Sequence, residues 1–346
     1  MSAEQTRIHC SIDLEAPGRR VGRLEVRHSD NRHAYGIIPV PIACIGNGRG
    51  PTALVTAGNH GDEHEGKIIA RRLIRELDPE RVHGRLIVVP ALNYPAVVED
   101  SRVSPIDGGN MNRAYPGDAG GTPTFAIAHW VETVLLPMCD AALDLHSGGK
   151  ASEYLPCAYL VMGGDRGLME AKIDAVKAFG APVTAVVSAT ADPRSLSGAA
   201  DRHGVVNLAT ELGGAGTVGL DALEVGDAGT RRWLAHVGVL ESDLAPPPAP
   251  PTRFLRTRNR RDFVMAPMDG LFEPRVRLGD EVKAGDVAGV VHPVDDPERD
   301  GAELQFCADG IVVCRRFPAR TIRGDYLLHV GEPTDEAALR ASEVPA

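Results

Sequence analysis

The chain has 346 residues, 43% of them hydrophobic and 24% charged, an ordinary composition for a globular protein. Lys and Arg number 37 against 47 Asp and Glu, so the formal charge is −10 and no basic surface for nucleic acid is expected. No apolar run of about 18 residues occurs, and the first residues lack the apolar core of a signal peptide. We therefore expect no membrane contact, a cytoplasmic location and reduced cysteines.

Short apolar runs alternate with amphipathic patterns through the first 245 residues. The predicted strands are 52–58, 84–92, 140–145, 183–187 and 205–210, with antiparallel edge strands at the N-terminus and at 35–43. The predicted helices are 63–77, 123–138, 168–179 and 222–237. This alternation predicts an α/β domain built on a mostly parallel sheet.

A proline-rich run, APPPAPP at 245–251, interrupts this pattern and predicts a stiff linker. We expect a catalytic domain at 1–245, a linker at 246–252, an all-β module at 253–332 and a polar tail at 333–346. The glycine and valine turns of the module, such as GDEVKAGD at 279–286, resemble those of barrel-sandwich domains. The lysine hairpin that carries a covalent cofactor in such domains is absent from the sequence.

Potential metal ligands follow two of the predicted strands. His60 and Glu63 lie three residues apart in GNHGDE, and His146 ends the strand of DLHSGG. Ligand sites of open α/β sheets lie at the carboxyl ends of the strands. Imidazole and carboxylate groups suit zinc, and a catalytic zinc ion has three protein ligands and one open position. We therefore predict that these three residues bind one Zn²⁺ per subunit.

Glu211, in TELGG at the end of a further strand, is the predicted general base. Zinc lowers the pKa of water toward about 7, and a nearby carboxylate can then accept the proton. Two other acids remain open to either of two interpretations. Asp144 either hydrogen-bonds a ligand histidine or caps a helix, and Asp62 belongs either to the site or to the first turn of its helix.

The polar loop NMNRAYPG is the predicted substrate end of the site. The guanidinium of Arg113 suits a carboxylate, and Asn112 adds directional donors. Arg102 precedes this loop, and a cation near zinc would stabilise the oxyanion formed when water attacks an amide carbonyl. The residues around the substrate side chain stay open, with Arg202, His203 and Glu153 as candidates.

Taken in order, GNHGDE, NMNRAYPG, DLHSGG and TELGG resemble the succinylglutamate desuccinylase/aspartoacylase family, which is related in fold to the zinc carboxypeptidases. The resemblance covers roughly residues 30–330. It implies a zinc-carboxypeptidase-like mixed sheet flanked by helices, followed by a small all-β barrel-sandwich module. It also implies zinc ligands at His60, Glu63 and His146 and an acid/base at Glu211. By the same resemblance, Asn112 and Arg113 bind an α-carboxylate, and Arg102 polarises the scissile carbonyl.

The reaction implied is hydrolysis of the amide of an Nα-acyl amino acid, a small-molecule substrate. Within the family, the resemblance points to deacetylation of N-acetyl-L-2,4-diaminobutyrate in ectoine breakdown, giving L-2,4-diaminobutyrate and acetate. The alternatives are a deacylase of the aspartoacylase or succinylglutamate desuccinylase type, and a non-catalytic binding protein on the same fold. A homo-oligomer is compatible with the sequence, which does not fix the oligomeric state.

Overall fold

A computed structural model describes residues 7–31, 33–187 and 192–342. The strands of the first part are β1 (Ile8–Cys10), β2 (Gly18–Asp30), β3 (His33–Gly46), β4 (Thr52–Ala57), β5 (Arg85–Val89), β6 (Ala141–Leu145), β7 (Ser152–Tyr154), β8 (Cys157–Val161), β9 (Val183–Val187) and β10 (Val206–Glu211). Those of the second part are β11 (Arg253–Thr257), β12 (Phe263–Met265), β13 (Gly270–Pro274), β14 (Glu281–Val282), β15 (Val287–His292), β16 (Ala302–Gln305), β17 (Gly310–Arg316), β18 (Arg320–Thr321) and β19 (Tyr326–Thr334).

Seven α-helices accompany the strands in the described part of the chain. They are α1 (Glu65–Glu76), α2 (Tyr94–Glu99), α3 (Pro123–Trp130), α4 (Arg166–Phe179), α5 (Leu196–Arg202), α6 (Leu220–His236) and α7 (Glu336–Ala341). A π turn at Val131–Leu135 and a 3₁₀ turn at Leu136–Met138 continue α3, so the predicted helix at 123–138 is helical throughout but irregular at its end.

The main sheet is mixed, and its order is β1-β2-β3-β5-β4-β6-β10-β8-β9-β11-β19-β17-β14. The neighbours β5, β4, β6 and β10 run parallel, as do β8, β9 and β11. Antiparallel pairs join these blocks and form the edges, including the long β2–β3 hairpin. The predicted mixed α/β sheet with flanking helices and further antiparallel strands is confirmed.

Both faces of the central strands are covered, which explains their continuous apolar sequences. All six residues of β4 are buried. Val55 and Ala57 belong to the core under α1, α4 and α6, whereas Leu54 belongs to the core on the other face, with residues of α3. Burial on two sides fixes the ends of β4 rigidly, so the loop that follows it starts from a fixed position.

Helix α1 forms where four-residue spacing of apolar side chains predicts an amphipathic helix. Ile69 and Leu73 are buried in the core, while Arg71, Arg75 and Glu76 are exposed. The helix begins at Glu65, two residues later than predicted. His60, Asp62 and Glu63 therefore all lie in the loop between β4 and α1, and Asp62 is outside the first helical turn.

The strands after the proline-rich segment continue the main sheet. Strand β11 pairs in parallel with β9, from Arg253 beside Val183 to Thr257 beside Val187, and β19 pairs with β11. Strands β16, β15, β13 and β18 form a separate antiparallel sheet over its own apolar cluster. The predicted domain limits stay a prediction, but the two parts share hydrogen-bonded strands.

The segment predicted as a polar tail contains α7. Its Leu339 is buried in the main core, and Arg340 pairs with Asp174 of α4. Lys177 of α4 likewise pairs with Glu336 at 2.9 Å. In the residues that the structure describes, no helix combines the length and apolarity needed to cross a bilayer.

Candidate metal centre and substrate cleft

Three loops bring the predicted site residues to one edge of the sheet. His60 lies three residues beyond β4, His146 directly follows β6, and Glu211 ends β10. Strand β6 is parallel to both β4 and β10, so their carboxyl ends lie side by side. The sheet topology therefore brings together residues up to 151 positions apart in sequence.

His60, Glu63 and His146 converge on one point. Each offers one ligand atom, and these atoms all lie within 4.8 Å of one another. Nδ1 of His60 is 2.6 Å from Oε1 of Glu63, and Nδ1 of His146 is 2.8 Å from Oε2. All three side chains are buried. Two imidazole nitrogens and one carboxylate are the donor set of many catalytic zinc sites.

The electrostatics of these groups fit a dication. Burial opposes ionisation of Glu63, but His146 and His60 outweigh it and lower the Glu63 pKa. Burial also opposes a charged His146, yet Asp144 and Glu63 raise its pKa well above the ordinary value. The carboxylates thus attract positive charge to this point, and a metal ion could supply that charge in place of protons.

The remaining ring nitrogens of both histidines have polar partners. Nε2 of His146 is 2.8 Å from Oδ2 of Asp144, an oxygen that also accepts from Asn59, while Oδ1 of Asp144 accepts from Thr56. Nε2 of His60 is 3.1 Å from Oδ1 of Asn110. Such partners fix the tautomer and orientation of ligand histidines. Asp144 therefore contacts a histidine of the triad and caps no helix.

The loop between His60 and Glu63 is packed too tightly for a side chain at Gly61. A Cβ atom on Gly61 would lie 1.9 Å from the carbonyl oxygen of Ala96 in α2. The Gly61 amide also donates to the carbonyl of Ser101 at 2.8 Å. Close packing against α2 therefore determines the course of the chain between His60 and Glu63.

Glu211 lies in the wall of the same cleft. Burial, followed by repulsion from Glu63, raises its pKa to about 8. Its Oε2 atom is buried and accepts no hydrogen bond from the described residues. A carboxylate of raised pKa without a protein partner is suited to exchange protons with a ligand. The glycines after it hold a sharp turn, since Gly214 has φ +131° and a Cβ there would meet the Ser152 carbonyl.

Arg102, Asn112 and Arg113 line this cleft as well. Nη1 of Arg102 is 3.4 Å from Nδ1 of His60 and 3.7 Å from Glu63. Nδ2 of Asn112 is 3.3 Å from Nε2 of His146. Arg113, like Arg102, is about half exposed, and its Nε lies 3.0 Å from Asp192. The structure thus brings all seven predicted site residues to one cleft.

The cleft has a volume of about 670 Å³ and is lined partly by residues that the sequence did not suggest. Phe263 and Tyr326 belong to the strands after the proline-rich segment, and their ring centroids are 4.8 Å apart. The other such residues that line the cleft include Tyr154, Tyr159, Val161, Val187, Asp192 and Ser195.

Some of these contacts leave a trace in the sequence and others leave none. Asn59 directly precedes His60, and Asn110 stands in the polar loop, so polar residues beside a ligand at a strand end are a usable signal. Asp192, Phe263 and Tyr326 have no comparable pattern around them.

The three candidates for the substrate side-chain pocket are not among the lining residues. Arg202 donates to both oxygens of Glu132, at 2.9 and 2.8 Å. Glu153 pairs with Arg315 at 2.6 Å, and His203 caps the end of α5. The described contacts give these residues structural partners away from the cleft.

Comparison with known proteins gives consistent matches. The model of the succinylglutamate desuccinylase/aspartoacylase catalytic domain matches residues 49–237. The chain is 38% identical over 329 residues to the N-alpha-acetyl-L-2,4-diaminobutyric acid deacetylase of Halomonas elongata. That alignment covers 94% of this chain and 95% of the relative.

Two solved structures are similar to this chain along nearly its whole length. A product-bound structure of the ectoine utilization protein EutE (DoeB) from Ruegeria pomeroyi has a TM-score of 0.91 and 37% identity, covering 94% of this chain and 99% of that one. A succinylglutamate desuccinylase/aspartoacylase structure from Rhodobacter sphaeroides has a TM-score of 0.90 and 39% identity, covering 95% and 100%. The similarity therefore extends through the strands that follow the proline-rich segment.

Proposed function

The chain belongs to the succinylglutamate desuccinylase/aspartoacylase family, and from this we propose that it is a zinc-dependent amidohydrolase. Its proposed reaction is hydrolysis of Nα-acetyl-L-2,4-diaminobutyrate to L-2,4-diaminobutyrate and acetate, a step of ectoine breakdown. The observation that carries the proposal is the convergence of His60, Glu63 and His146 beside Glu211 in a chain 38% identical to a deacetylase of that name.

His60, Glu63 and His146 would hold the zinc ion, which when bound polarises the acyl carbonyl and lowers the pKa of water. Their donor set and the electrostatics described above support this assignment. Asn110 and Asp144 orient the two imidazoles so that each Nδ1 faces the same point. These residues supply a preformed centre and take no part in proton transfer.

Glu211 acts on the protons of the reaction. It accepts a proton as water attacks the carbonyl carbon, and it returns the proton to the nitrogen as the amide bond breaks. Its raised pKa and its unpartnered oxygen support this role. Arg102 donates hydrogen bonds to the oxygen that gains negative charge. The products are acetate and the free amino acid.

Arg113 and Asn112 bind the α-carboxylate of the substrate. Among the described residues that line the cleft, Arg102 and Arg113 are the only Arg or Lys side chains, and both are then engaged at the carbonyl and the carboxylate. A substrate with a second carboxylate, such as N-acetylaspartate or succinylglutamate, needs a further cation. The aromatic rings of the cleft, Tyr154, Tyr159, Phe263 and Tyr326, instead favour a cationic side chain.

A panel of Nα-acyl amino acids tests the proposal with zinc-loaded protein. We expect fastest release of acetate from Nα-acetyl-L-2,4-diaminobutyrate and slow turnover of N-acetylaspartate and N-succinylglutamate. The variant Glu211→Gln should keep its zinc and lose about 10²- to 10⁴-fold in kcat, whereas Glu170→Gln, on an exposed helix face, serves as the control. Full activity of Glu211→Gln or of metal-free protein refutes the mechanism, and inactivity on the whole panel favours a binding protein.

The proposal also includes the substrate class, the location and the oligomeric state of the protein. We propose a small-molecule substrate and a cytoplasmic location for the enzyme. Whether it forms a homo-oligomer stays a prediction that mass measurement in solution would test.

A further inference from the structure

A short segment before α5 is tied to the loop that carries Asn112 and Arg113. The amide of Leu196 donates to Oδ1 of Asn112 at 3.0 Å, and the amide of Tyr115 donates to the carbonyl of Arg194 at 3.2 Å. The carbonyl of Pro193 accepts a hydrogen bond from Arg202 at 2.8 Å. These bonds fix the segment against both the substrate loop and α5.

Asp192 starts this segment and bridges two arginines. One oxygen lies 3.0 Å from Nε of Arg113, and the same carboxylate accepts two hydrogen bonds from the Arg194 side chain, at 3.0 and 2.8 Å. Asp192 is less exposed than either partner, with 19% of its side chain exposed against 45% for Arg113. Asp192 and Arg113 line the cleft, while Arg194 approaches the same carboxylate from the exposed side.

We propose that Asp192 is a positioning residue, which orients the Arg113 guanidinium for the α-carboxylate of the substrate. The inference rests on the proposed function, in which Arg113 binds that carboxylate. No metal ligand and no step of proton transfer involves Asp192.

The contacts of Arg113 show how the orientation arises. Nε forms an ion pair with Asp192 at 3.0 Å, and Nη1 donates a hydrogen bond to the backbone carbonyl of Asn112 at 2.6 Å. The ion pair and the hydrogen bond hold two of the three guanidinium nitrogens and leave the donors of Nη2 for a ligand in the cleft. A free arginine side chain has about 2 kcal/mol of rotamer entropy, and fixing it before binding lowers the cost of ordering it on the substrate.

Arg194 further stabilises the charged form of the Asp192 carboxylate. Its hydrogen bond to Asp192 is the main reason that the pKa of this carboxyl falls to about 2. The carboxylate is therefore ionised throughout the pH range in which the enzyme would work. Without Asp192, Arg113 would keep only the backbone carbonyl as a partner and could turn away from the cleft.

The test compares two substrates that differ only in the α-carboxylate. Nα-acetyl-L-2,4-diaminobutyrate carries this group, and N-acetyl-1,3-diaminopropane has the same chain and ammonium group without it. For Asp192→Asn we expect KM of the first substrate to rise about 10- to 100-fold with kcat nearly unchanged, because a displaced binding group costs affinity. The kcat/KM for the second substrate should equal that of the parent protein.

A matched control removes an Asp–Arg pair elsewhere. Asp243 pairs with Arg81 and does not line the cleft, so Asp243→Asn should leave both substrates unaffected. If Asp192→Asn lowers kcat/KM equally for both substrates, Asp192 acts on the ammonium group or on folding, and the positioning role is wrong. An unchanged KM for the first substrate also overturns it.

Binding of the product separates this inference from the proposed function. Calorimetry with L-2,4-diaminobutyrate needs no turnover, and Asp192→Asn should weaken its binding by the same factor as KM. If the parent protein hydrolyses a different Nα-acyl amino acid, the proposed substrate is wrong. The role of Asp192 is then tested with that substrate and its decarboxylated analogue.

Discussion

The hydrogen bond between Asp144 and His146 predicts a measurable effect on metal affinity. Asp144 is buried, and its carboxylate accepts from Thr56 at 2.7 Å and from Asn59 at 2.6 Å while it faces Nε2 of His146 at 2.8 Å. In Asp144→Asn the shape is kept, but the negative charge that raises the His146 pKa is lost. The histidine then becomes a weaker and less well oriented ligand.

The expected loss is about 10- to 100-fold in zinc affinity, or about 1.4 to 2.8 kcal/mol. Competition with a chromophoric chelator measures this quantity directly. Activity at saturating zinc should recover in large part, because Glu211 and the substrate loop are unchanged.

Asp140 offers a matched control at the opposite end of β6. Its carboxylate accepts from the Thr52 amide at 2.8 Å, and it is not among the residues that line the cleft. Asp140→Asn should bind zinc as the parent protein does. Equal zinc affinity in Asp144→Asn and the parent would refute the orienting role, as would an equal loss in both variants.

Two further predictions concern protonation. In chelator-treated protein the Glu211 pKa is raised from 4.5 to about 8, so the free energy of unfolding should fall as pH rises from about 4.5 to about 8. Because glutamine does not ionise, Glu211→Gln should gain stability relative to the parent between pH 5 and pH 8 in urea titrations. A constant difference between the two proteins would contradict the raised pKa. Among the cysteines, Cys307 is exposed, whereas burial raises the pKa of Cys44 to about 11 and of Cys139 to about 12; one thiol should react rapidly with a disulfide reagent at pH 8, and Cys307→Ser should abolish that phase.

The centre of the fold could be predicted because its signals are local. Strand β4 is a continuous apolar run, α1 has apolar side chains at four-residue spacing, and His60 and His146 lie within three residues of a strand end. The family resemblance then narrowed the roles of those residues. Polar residues beside the ligands, such as Asn59 next to His60, stayed within reach of sequence reasoning.

Other parts depend on contacts between distant residues. Strand β8 is apolar but only five residues long and follows a proline, and β2 carries many charged residues, so neither strand stands out in the sequence. The pairing of β11 with β9 joins segments about 70 residues apart, and the residues of neither segment predict it. Phe263 and Tyr326 lie on strands far along the chain from the metal ligands, and Asp192 and Arg113 lie on separate loops, so no local pattern predicts these contacts.

Strand β11 also determines how the protein unfolds. It covers the backbone of β9, and β9 in turn borders β8, whose residues Tyr159 and Val161 line the cleft. A chain that ended at the proline-rich segment would leave the backbone N–H and C=O groups along one edge of β9 unpaired. An unpaired strand edge readily pairs with strands of other chains. We therefore expect the parts of the chain before and after the proline-rich segment to unfold in one cooperative transition, and neither part to fold when it is expressed alone.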